Sequence, residues 1–273
     1  MALHCHMTFR DADNPTHVVT IVHGAGEHSG RYDYARAAFA KQGMATVMGD
    51  LPGHGHSPGL RGHIDSFDEY VDAVDSFLQL AVERYSADVY HVLLGHSMGG
   101  LIAALAAARR NAPPPHALVL SSPCFGLAMN LSRKRVIIGS IIRKITPRLY
   151  QPNGINPQDV TRNKEIAADY GTDRLVHKKV TLNWYFELLR GMDEAAQIGS
   201  RIRIPTSVWQ AGDDRLVSKA VSRKWYETVS LEQKSYKEYE GYYHEIMNEP
   251  ERDDVIDDII AWIRKTLPPI PRT

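Results

Sequence analysis

The sequence predicts a doubly wound α/β fold, in which a mostly parallel sheet carries helices on both faces and a helical segment is inserted between two strands. Apolar, β-branched runs alternate with amphipathic stretches over roughly the first 120 residues. The alternation stops between residues 124 and 199, and it resumes from residue 200 onwards. Because parallel neighbours need a crossover long enough to hold a helix, this alternation predicts a parallel sheet.

The elements before the insertion follow from periodicity and from turn residues. The run His17–Val22 is β-branched and bounded by turn residues, which indicates a buried strand. A helix predicted over 66–85 begins at Ser66 with Glu69 three residues later, a capping-box pair. The other elements predicted in this part are a helix over 32–42 ending at Gly43, a strand over 44–48, a loop over 50–62, a strand over 89–94, a helix over 100–109 and a strand over 117–120.

The inserted segment differs in composition from the rest of the chain. Arginines and lysines flank isoleucines between residues 133 and 149, and prolines recur at positions 147, 152 and 157. This change predicts a helical cap over 124–199 on a single core that is formed by 1–123 and 200–273. The elements predicted after the cap are strands over 206–210 and 235–239 and helices over 219–229 and 253–265.

The overall composition excludes several classes of protein. Thirty-two Lys and Arg balance thirty-two Asp and Glu, so no net field attracts nucleic acid. The N-terminal region lacks the apolar core of a secretory signal, and the longest apolar stretch, 101–108, is far shorter than the roughly 20 residues of a membrane span. The two cysteines, Cys5 and Cys124, are too few to stabilise a chain of this length by disulfide bonds, which suits a reducing compartment. We therefore expect a cytoplasmic protein that is soluble or attached to a membrane surface.

Residues 95–99 read Gly-His-Ser-Met-Gly between an apolar strand and an alanine-rich helix. This G-x-S-x-G pattern places the serine on a strained turn from strand to helix, which exposes its hydroxyl. An unassisted serine hydroxyl is a poor nucleophile at neutral pH, so it needs a neighbouring base. The pattern predicts Ser97 as the nucleophile and the Met98 N–H as a donor to the oxyanion.

The partners of this serine are expected on loops after later strands, the acid first and the histidine second. Asp213 and Asp214 follow the strand 206–210, and His244 follows the strand 235–239. A histidine or an Asp-Asp pair in a loop is usually only solvated, but these residues occupy the required order. We predict His244 as the general base and one of the two aspartates, preferentially Asp214, as the residue that orients it.

A glycine-rich stretch, His-Gly-Ala-Gly at 23–26, follows an early strand of the predicted sheet. The second oxyanion donor of such hydrolases comes from a loop in this place, and small residues let the backbone approach the substrate. The same residues could form only a turn. Because the G-x-S-x-G pattern is present as well, we predict the N–H of Ala25 as the second donor.

Several motifs of the sequence resemble those of the monoacylglycerol lipase and lysophospholipase group of α/β-hydrolases, which includes bacillary phospholipase-type members. They are HGAGEHSGRY at 23–32, Asp50 with GHGHS at 53–57, LGHSMGG at 94–100, RNK at 162–164, DRL at 214–216, YEG at 239–241 and YH at 243–244. The resemblance covers nearly the whole chain. It implies an α/β-hydrolase fold with a triad of Ser97, Asp214 and His244, and with Ala25 and Met98 as oxyanion donors.

The same resemblance implies two substrate-binding residues. In animal monoacylglycerol lipases the glutamate and the arginine of the HGAGEHSGRY motif lie near the glycerol end of the pocket, which implies this role for Glu27 and Arg31. Those enzymes carry a second histidine just beyond the catalytic one, where this chain has Met247. The head-group site is therefore expected to differ at this position.

Together these patterns predict a serine hydrolase that cleaves a single-acyl lipid ester, a monoacylglycerol or a lysophospholipid, through an acyl-enzyme on Ser97. A phospholipase, a general carboxylesterase or a thioesterase would use the same triad, and an inert receptor for a small apolar ligand could keep the fold. We predict no cofactor and no metal. The histidines at 54, 56 and 63 could suggest zinc, but a zinc site needs three or four converging ligands.

The basic, isoleucine-rich segment 133–149 is compatible with two interpretations. Its apolar face could lie on anionic lipid, which predicts a peripheral membrane contact. Equally, a cap helix could pack its isoleucines on the core and leave its basic ends in solvent. The sequence alone leaves both open.

Overall fold

The computed structural model describes residues 5–86, 88–109, 111–128 and 133–268, and its central element is a seven-stranded sheet. The strands, numbered along the chain, are β1 (Met7–Arg10), β2 (His17–Val22), β3 (Met44–Gly49), β4 (Tyr90–His96), β5 (Ala117–Ser121), β6 (Tyr150–Pro152), β7 (Lys179–Thr181), β8 (Thr206–Ala211) and β9 (Lys234–Tyr239). The order across the large sheet is β1-β3-β2-β4-β5-β8-β9. Only β1 pairs antiparallel in this sheet. The mostly parallel sheet confirms the predicted fold class.

The sheet topology decides where a functional site can form. β3 lies on one side of β2 and β4 lies on the other, so the strand order reverses at β2. Ligands of open α/β sheets bind outside the carboxyl ends of the strands at such a reversal. Val22, the last residue of β2, pairs there with Gly95 of β4. Ser97, directly after β4, therefore lies at this crevice.

Helices cover both faces of the sheet, as the alternation predicts. They are α1 (Asp33–Lys41), α2 (Asp68–Tyr85), α3 (Met98–Arg109), α4 (Arg133–Ile145), α5 (Pro157–Val160), α6 (Lys164–Thr172), α7 (Leu182–Ala195), α8 (Lys219–Thr228) and α9 (Arg252–Thr266). Phe77 of α2, Leu101 of α3 and Trp225 of α8 belong to the core on one face. Phe39 of α1 and Ile259 of α9 belong to the core on the other face. Both cores bury apolar surface, the main favourable contribution to folding.

The chain between β5 and β8 lies over the carboxyl edge of the sheet. It contains α4 to α7 and a small antiparallel pair, β6 and β7. The His177 N–H donates to the Gly26 carbonyl at 2.9 Å, and the Thr181 N–H donates to the Gly62 carbonyl at 2.8 Å. The bounds of the predicted cap, 124–199, stay a prediction. The two strands were not predicted, because three residues are too few to show an alternating pattern.

One further strand and the start of one helix also differ from the prediction. β1 lies outside the predicted elements, because its four residues are only partly buried and pair at the sheet edge. α2 begins at Asp68 rather than at Ser66. The Glu69 carboxylate still accepts the Ser66 N–H at 2.9 Å, which is one half of the predicted capping box. Among the helices of the described residues, none is long and apolar enough to cross a membrane.

Candidate active site

The turn between β4 and α3 holds Ser97 in a conformation that few side chains adopt. Its φ angle is +54°, in the left-handed region, so the turn is strained. A Cβ atom on Gly99 would lie 2.2 Å from the Val22 carbonyl oxygen, and one on Gly95 would lie 2.3 Å from the Gly99 carbonyl oxygen. Only glycine fits these two positions, so the spacing of the motif follows from backbone packing.

Three side chains from distant parts of the chain meet at this turn. His244 Nδ1 lies 2.8 Å from Asp214 Oδ2, and His244 Nε2 lies 2.8 Å from Ser97 Oγ. A carboxylate only accepts hydrogen bonds, so Nδ1 carries the proton and Nε2 accepts the serine hydroxyl. The structure thus brings together the three residues predicted as a triad. Asp213, the other aspartate of the pair, is exposed.

The aspartate is itself held by the backbone of its own loop. Asp214 Oδ1 accepts the N–H groups of Leu216 and Val217, each at 3.0 Å. Its side chain is completely buried, whereas that of His244 is 5% exposed. Burial alone would raise the pKa of Asp214, but the neighbouring His244 and these N–H groups outweigh it and lower that pKa below its ordinary value. The aspartate is therefore ionised beside the imidazole.

The histidine responds in the opposite direction. Burial opposes its charged form, but the charge of Asp214 and the hydrogen bond to it, together with Glu245 and Glu27, raise the pKa of His244 above its ordinary value. These carboxylates stabilise the imidazolium that forms when the ring accepts a proton. The site is consequently arranged to favour proton transfer from Ser97 to His244.

The two predicted oxyanion donors belong to residues that line the same pocket as Ser97. Met98 is the first residue of α3, and the first N–H groups of a helix lack partners within it. Ala25 lies in the loop after β2 and lines the same pocket as Ser97 and Met98. The loop is fixed by the Gly24 N–H, which donates to Glu27 Oε1 at 2.5 Å.

Glu27 and Arg31, predicted from the resemblance to bind substrate, lie in different environments. Glu27 lines the pocket, whereas Arg31 is absent from the described residues that line it. The Arg31 guanidinium donates to Glu27 at 3.0 Å and to both oxygens of Glu245 at 2.5 and 2.8 Å. Its side chain is 8% exposed. Arg31 thus contacts two carboxylates that line the pocket, Glu27 and Glu245. Direct substrate binding by Arg31 stays a prediction.

The charges of this group are mutually stabilised. Burial would raise the pKa of Glu27, but Arg31 and the histidines His96 and His23 lower it to about 2. Burial would lower the pKa of Arg31, but Glu245 and Glu27 raise it above its ordinary value. Glu245 was not found by sequence reasoning. Its only signal is its position directly after His244, which does not indicate where a side chain points.

The pocket around Ser97 has one apolar side and one polar end. The apolar lining comes from the inserted segment and from the loop after β8, and its residues are Leu127, Ile155, Val160, Trp184, Leu188, Leu216 and Val217. Cys124 is buried and lines this side too. Glu27, Glu245 and Tyr170 line the polar end. The pocket thus offers both apolar and polar contacts beside Ser97.

A parallel α/β sheet with a serine, a histidine and an aspartate assembled at a G-x-S-x-G turn defines the serine hydrolases of the α/β-hydrolase fold. Residues 13–251 match the family model described as serine aminopeptidase, S33. The chain therefore belongs to this family of hydrolases.

Relatives and a solved structure support the same conclusion. Phospholipase YtpA of Bacillus subtilis is 40% identical over 245 residues, which cover 89% of this chain and 93% of that protein. The monoacylglycerol lipase of Mycolicibacterium smegmatis is 32% identical over 251 residues, which cover 92% and 89%. The crystal structure of Paleococcus ferrophilus monoacylglycerol lipase is 29% identical, with a TM-score of 0.86 over 97% of this chain and all of that one. These similarities confirm the resemblance predicted from the motifs.

Proposed function

We propose that this protein hydrolyses the ester bond of a single-chain lipid, with a monoacylglycerol as the preferred substrate. The observation that carries the proposal is the two-sided pocket, in which Ser97 lies between an apolar lining and a polar end. The relatives named phospholipase and monoacylglycerol lipase favour lipid esters as the substrate class. A cap formed by 124–199 would supply most of the apolar contact with the acyl chain.

In the proposed mechanism Ser97 Oγ attacks the ester carbonyl carbon while His244 Nε2 takes the hydroxyl proton. The carbonyl oxygen becomes an oxyanion that accepts the N–H groups of Ala25 and Met98. The imidazolium, stabilised by Asp214, then protonates the alkoxide leaving group, and the alcohol departs from an acyl-enzyme. Water, deprotonated by the same histidine, attacks the acyl carbon and releases the fatty acid together with free serine.

The polar end of the pocket favours a neutral alcohol over an anionic one. Two buried carboxylates, Glu27 and Glu245, share a single guanidinium, that of Arg31, so the cluster carries a net negative charge. Carboxylate oxygens accept hydrogen bonds from hydroxyl groups, whereas a phosphate group would be repelled in a site of low dielectric constant. The alcohol best suited to this end is therefore a polyol such as glycerol rather than a phosphodiester or a phosphomonoester.

The test compares leaving groups on one acyl chain. Release of lauric acid is measured from monolauroylglycerol, lauroyl-lysophosphatidylcholine, lauroyl-lysophosphatidic acid and p-nitrophenyl laurate, with Ser97→Ala as the blank. We expect kcat/KM for monolauroylglycerol to exceed that for the lysophosphatidic acid by at least about 100-fold, which corresponds to about 2.7 kcal/mol.

Each other result contradicts a defined part of the proposal. Preference for a lysophospholipid would replace the monoacylglycerol assignment by a lysophospholipase. Turnover of p-nitrophenyl laurate alone would leave a general carboxylesterase. No turnover by the folded wild type, and no labelling of Ser97 by a fluorophosphonate, would favour an inert receptor.

We also propose that α4 places the protein on a membrane surface. Ile137, Ile141 and Ile145 recur every four residues along α4, so they lie on one face of the helix, and they are 59%, 55% and 78% exposed. Exposed apolar side chains of this size on one element mark an interaction surface. The exposed Lys144 accompanies them, and anionic lipid headgroups attract such residues, whereas Arg143 pairs with Glu187 of α7 at 2.7 Å. A cytoplasmic location, favoured by the two free cysteines, is part of the same proposal.

Vesicle binding tests the membrane contact. The double variant Ile141→Ser with Ile145→Ser should bind vesicles of anionic phospholipid at least about tenfold more weakly, because each buried isoleucine contributes roughly 1.5–3 kcal/mol. Its turnover of a monomeric, water-soluble ester should stay within twofold of wild type. Leu80→Ser, at an exposed position of α2, is the matched control and should leave vesicle binding unchanged. Equal binding by all three proteins would exclude α4 as the contact.

A further inference from the structure

A buried charge cluster, formed by Glu27, Arg31 and Glu245, lies beside the catalytic residues. Arg31 donates three hydrogen bonds in it, one to Glu27 Oε2, one to Glu245 Oε1 and one to Glu245 Oε2. Glu27 Oε1 also accepts the Tyr32 hydroxyl at 2.7 Å, and Glu245 Oε2 accepts the Asn248 side-chain N–H at 3.0 Å. The carboxylates are therefore oriented from several directions, which is required of charges removed from water.

The cluster connects the two loops on which the proposed chemistry depends. At one end Glu27 accepts the Gly24 N–H at 2.5 Å, immediately before Ala25. At the other end Glu245 is the residue that follows His244 in the chain. One guanidinium thus joins the loop that carries an oxyanion donor to the loop that carries the base.

The segment between β5 and β8 also contacts this cluster. The Arg31 guanidinium lies over the ring of Tyr170 of α6, 4.5 Å from the ring centroid. The Glu245 N–H donates to the Val160 carbonyl at 2.7 Å, at the end of α5. The cluster is therefore enclosed on the side of the inserted segment as well. Arg31 contacts Glu27, Glu245 and Tyr170, which line the pocket, but it is not among the described residues that line the pocket.

We propose that Arg31 and Glu245 are positioning residues, which hold the Ala25 loop and the His244 loop at a fixed separation. Arg31 acts through the two carboxylates and does not touch the leaving alcohol. This inference depends on the proposed roles of Ala25 and His244. It differs from the substrate-binding role that the motif resemblance implies for Arg31.

The physical reason is that acyl transfer depends steeply on geometry. A displacement of about 1 Å between reacting groups can lower the rate about 100-fold. The oxyanion donor and the base must both face one carbonyl group, yet they come from loops more than 200 residues apart, since Arg31 and Glu245 are separated by 214 positions. A two-pronged guanidinium–carboxylate contact fixes both distance and direction, as a single hydrogen bond does not.

The main experiment uses two substrates with one acyl chain and different leaving groups. Glu245→Gln removes the charge and keeps the shape, and Arg31→Lys keeps the charge and loses the two-pronged contact. For Arg31→Lys we expect kcat to fall about 10-fold to 100-fold on monolauroylglycerol and equally on p-nitrophenyl laurate, with KM within about threefold of wild type. Glu245 also lines the pocket, so for Glu245→Gln the deciding value is kcat on p-nitrophenyl laurate, which has no polyol and which we expect to fall by the same factor. A loss confined to monolauroylglycerol and expressed in KM would overturn the proposal in favour of direct leaving-group binding.

A second buried glutamate in the same loop provides the matched control. Glu249 is completely buried and pairs with Arg162, on the side of the loop away from the pocket. Glu249→Gln should lower Tm as much as Glu245→Gln does but leave kcat within twofold of wild type. Equal losses of kcat from both variants would mean that the loop is merely destabilised, which contradicts a positioning role.

A milder variant guards against misfolding. Tyr32→Phe removes one hydrogen bond from Glu27 without removing a charge, and we expect a loss of kcat of about threefold to tenfold, equal on both substrates. Unchanged kcat in Tyr32→Phe, Glu245→Gln and Arg31→Lys together would refute the inference while leaving the proposed function intact. The proposed function fails separately, if wild type and Ser97→Ala release fatty acid at the same rate.

Discussion

The crevice at Ser97 and the outer face of α4 follow opposite physical rules. At the crevice the carboxylates of Asp214 and Glu245 are buried and paired, and the glycines at 95 and 99 leave no space for another residue. On α4 the isoleucines and the basic Lys144 are exposed. The crevice is determined by contacts within the chain, whereas the face of α4 has too few such contacts to explain its composition. This contrast places the candidate catalytic residues in the core, and it supports our proposal that the inserted segment contacts the lipid phase.

The largest effect should follow from removal of the buried negative charge at the crevice. Asp214→Asn keeps the size of the side chain but no longer fixes the proton on His244 Nδ1, so kcat should fall about 10⁴-fold. Fatty acid release at saturating substrate measures this loss. Asp213→Asn, at the exposed neighbouring position, is the control and should change kcat less than twofold.

The opposite result would contradict the role predicted for Asp214. If Asp213→Asn caused the larger loss, the interaction between His244 and Asp214 would have no part in catalysis. Thermal unfolding of both variants shows whether either loss reflects unfolding instead.

Core and α4 should also differ in stability. Leu101 of α3 is completely buried, so Leu101→Ala should lower the free energy of unfolding by about 2–5 kcal/mol. Ile141 of α4 is 55% exposed, so Ile141→Ala should change it by less than about 0.5 kcal/mol. Urea titration measures both values. A large loss for Ile141→Ala would show that α4 is packed in solution, and it would weaken the case for a lipid contact.

The smallest effect concerns pH. His244 must be neutral to accept the serine proton, and its pKa lies above the ordinary value of 6.5. The value of kcat/KM should therefore be constant at alkaline pH and fall as pH decreases, about tenfold per unit below that pKa, with its midpoint above pH 6.5. The double variant of Ile141 and Ile145 should keep the same midpoint. A midpoint below pH 6 in the wild type would contradict the arrangement of carboxylates around His244.

Much of the fold could be predicted because its signals are local. The strand His17–Val22 coincides with its prediction, and the serine turn follows from a five-residue motif whose two glycines, Gly95 and Gly99, are needed for a close backbone approach. β1 escaped prediction because an edge strand of four residues gains its structure from pairing with β3 rather than from its own pattern. The strands β6 and β7 were missed because each has only three residues and gains its structure from pairing with the other.

The candidate site shows the same division. Ser97, Asp214 and His244 could be ordered from the chain, because each follows a strand of a parallel sheet and such strands end at one edge. Glu245 could not be found in this way, since adjacency in sequence does not fix side-chain direction. Its partner Arg31 is 214 residues away, and only the folded chain brings their side chains to 2.5 Å.

Local patterns along the chain were sufficient to predict the alternating α/β architecture, the serine turn and the order of Asp214 and His244 after it, because periodicity and glycine geometry act over a few residues. Only the tertiary structure decided that Arg31 faces two carboxylates instead of the pocket, that Glu245 joins the site, and that the isoleucines of α4 remain exposed. These features depend on which surfaces meet after folding. Burial, pairing of charges and exposure are properties of the packed chain, and no local pattern encodes them.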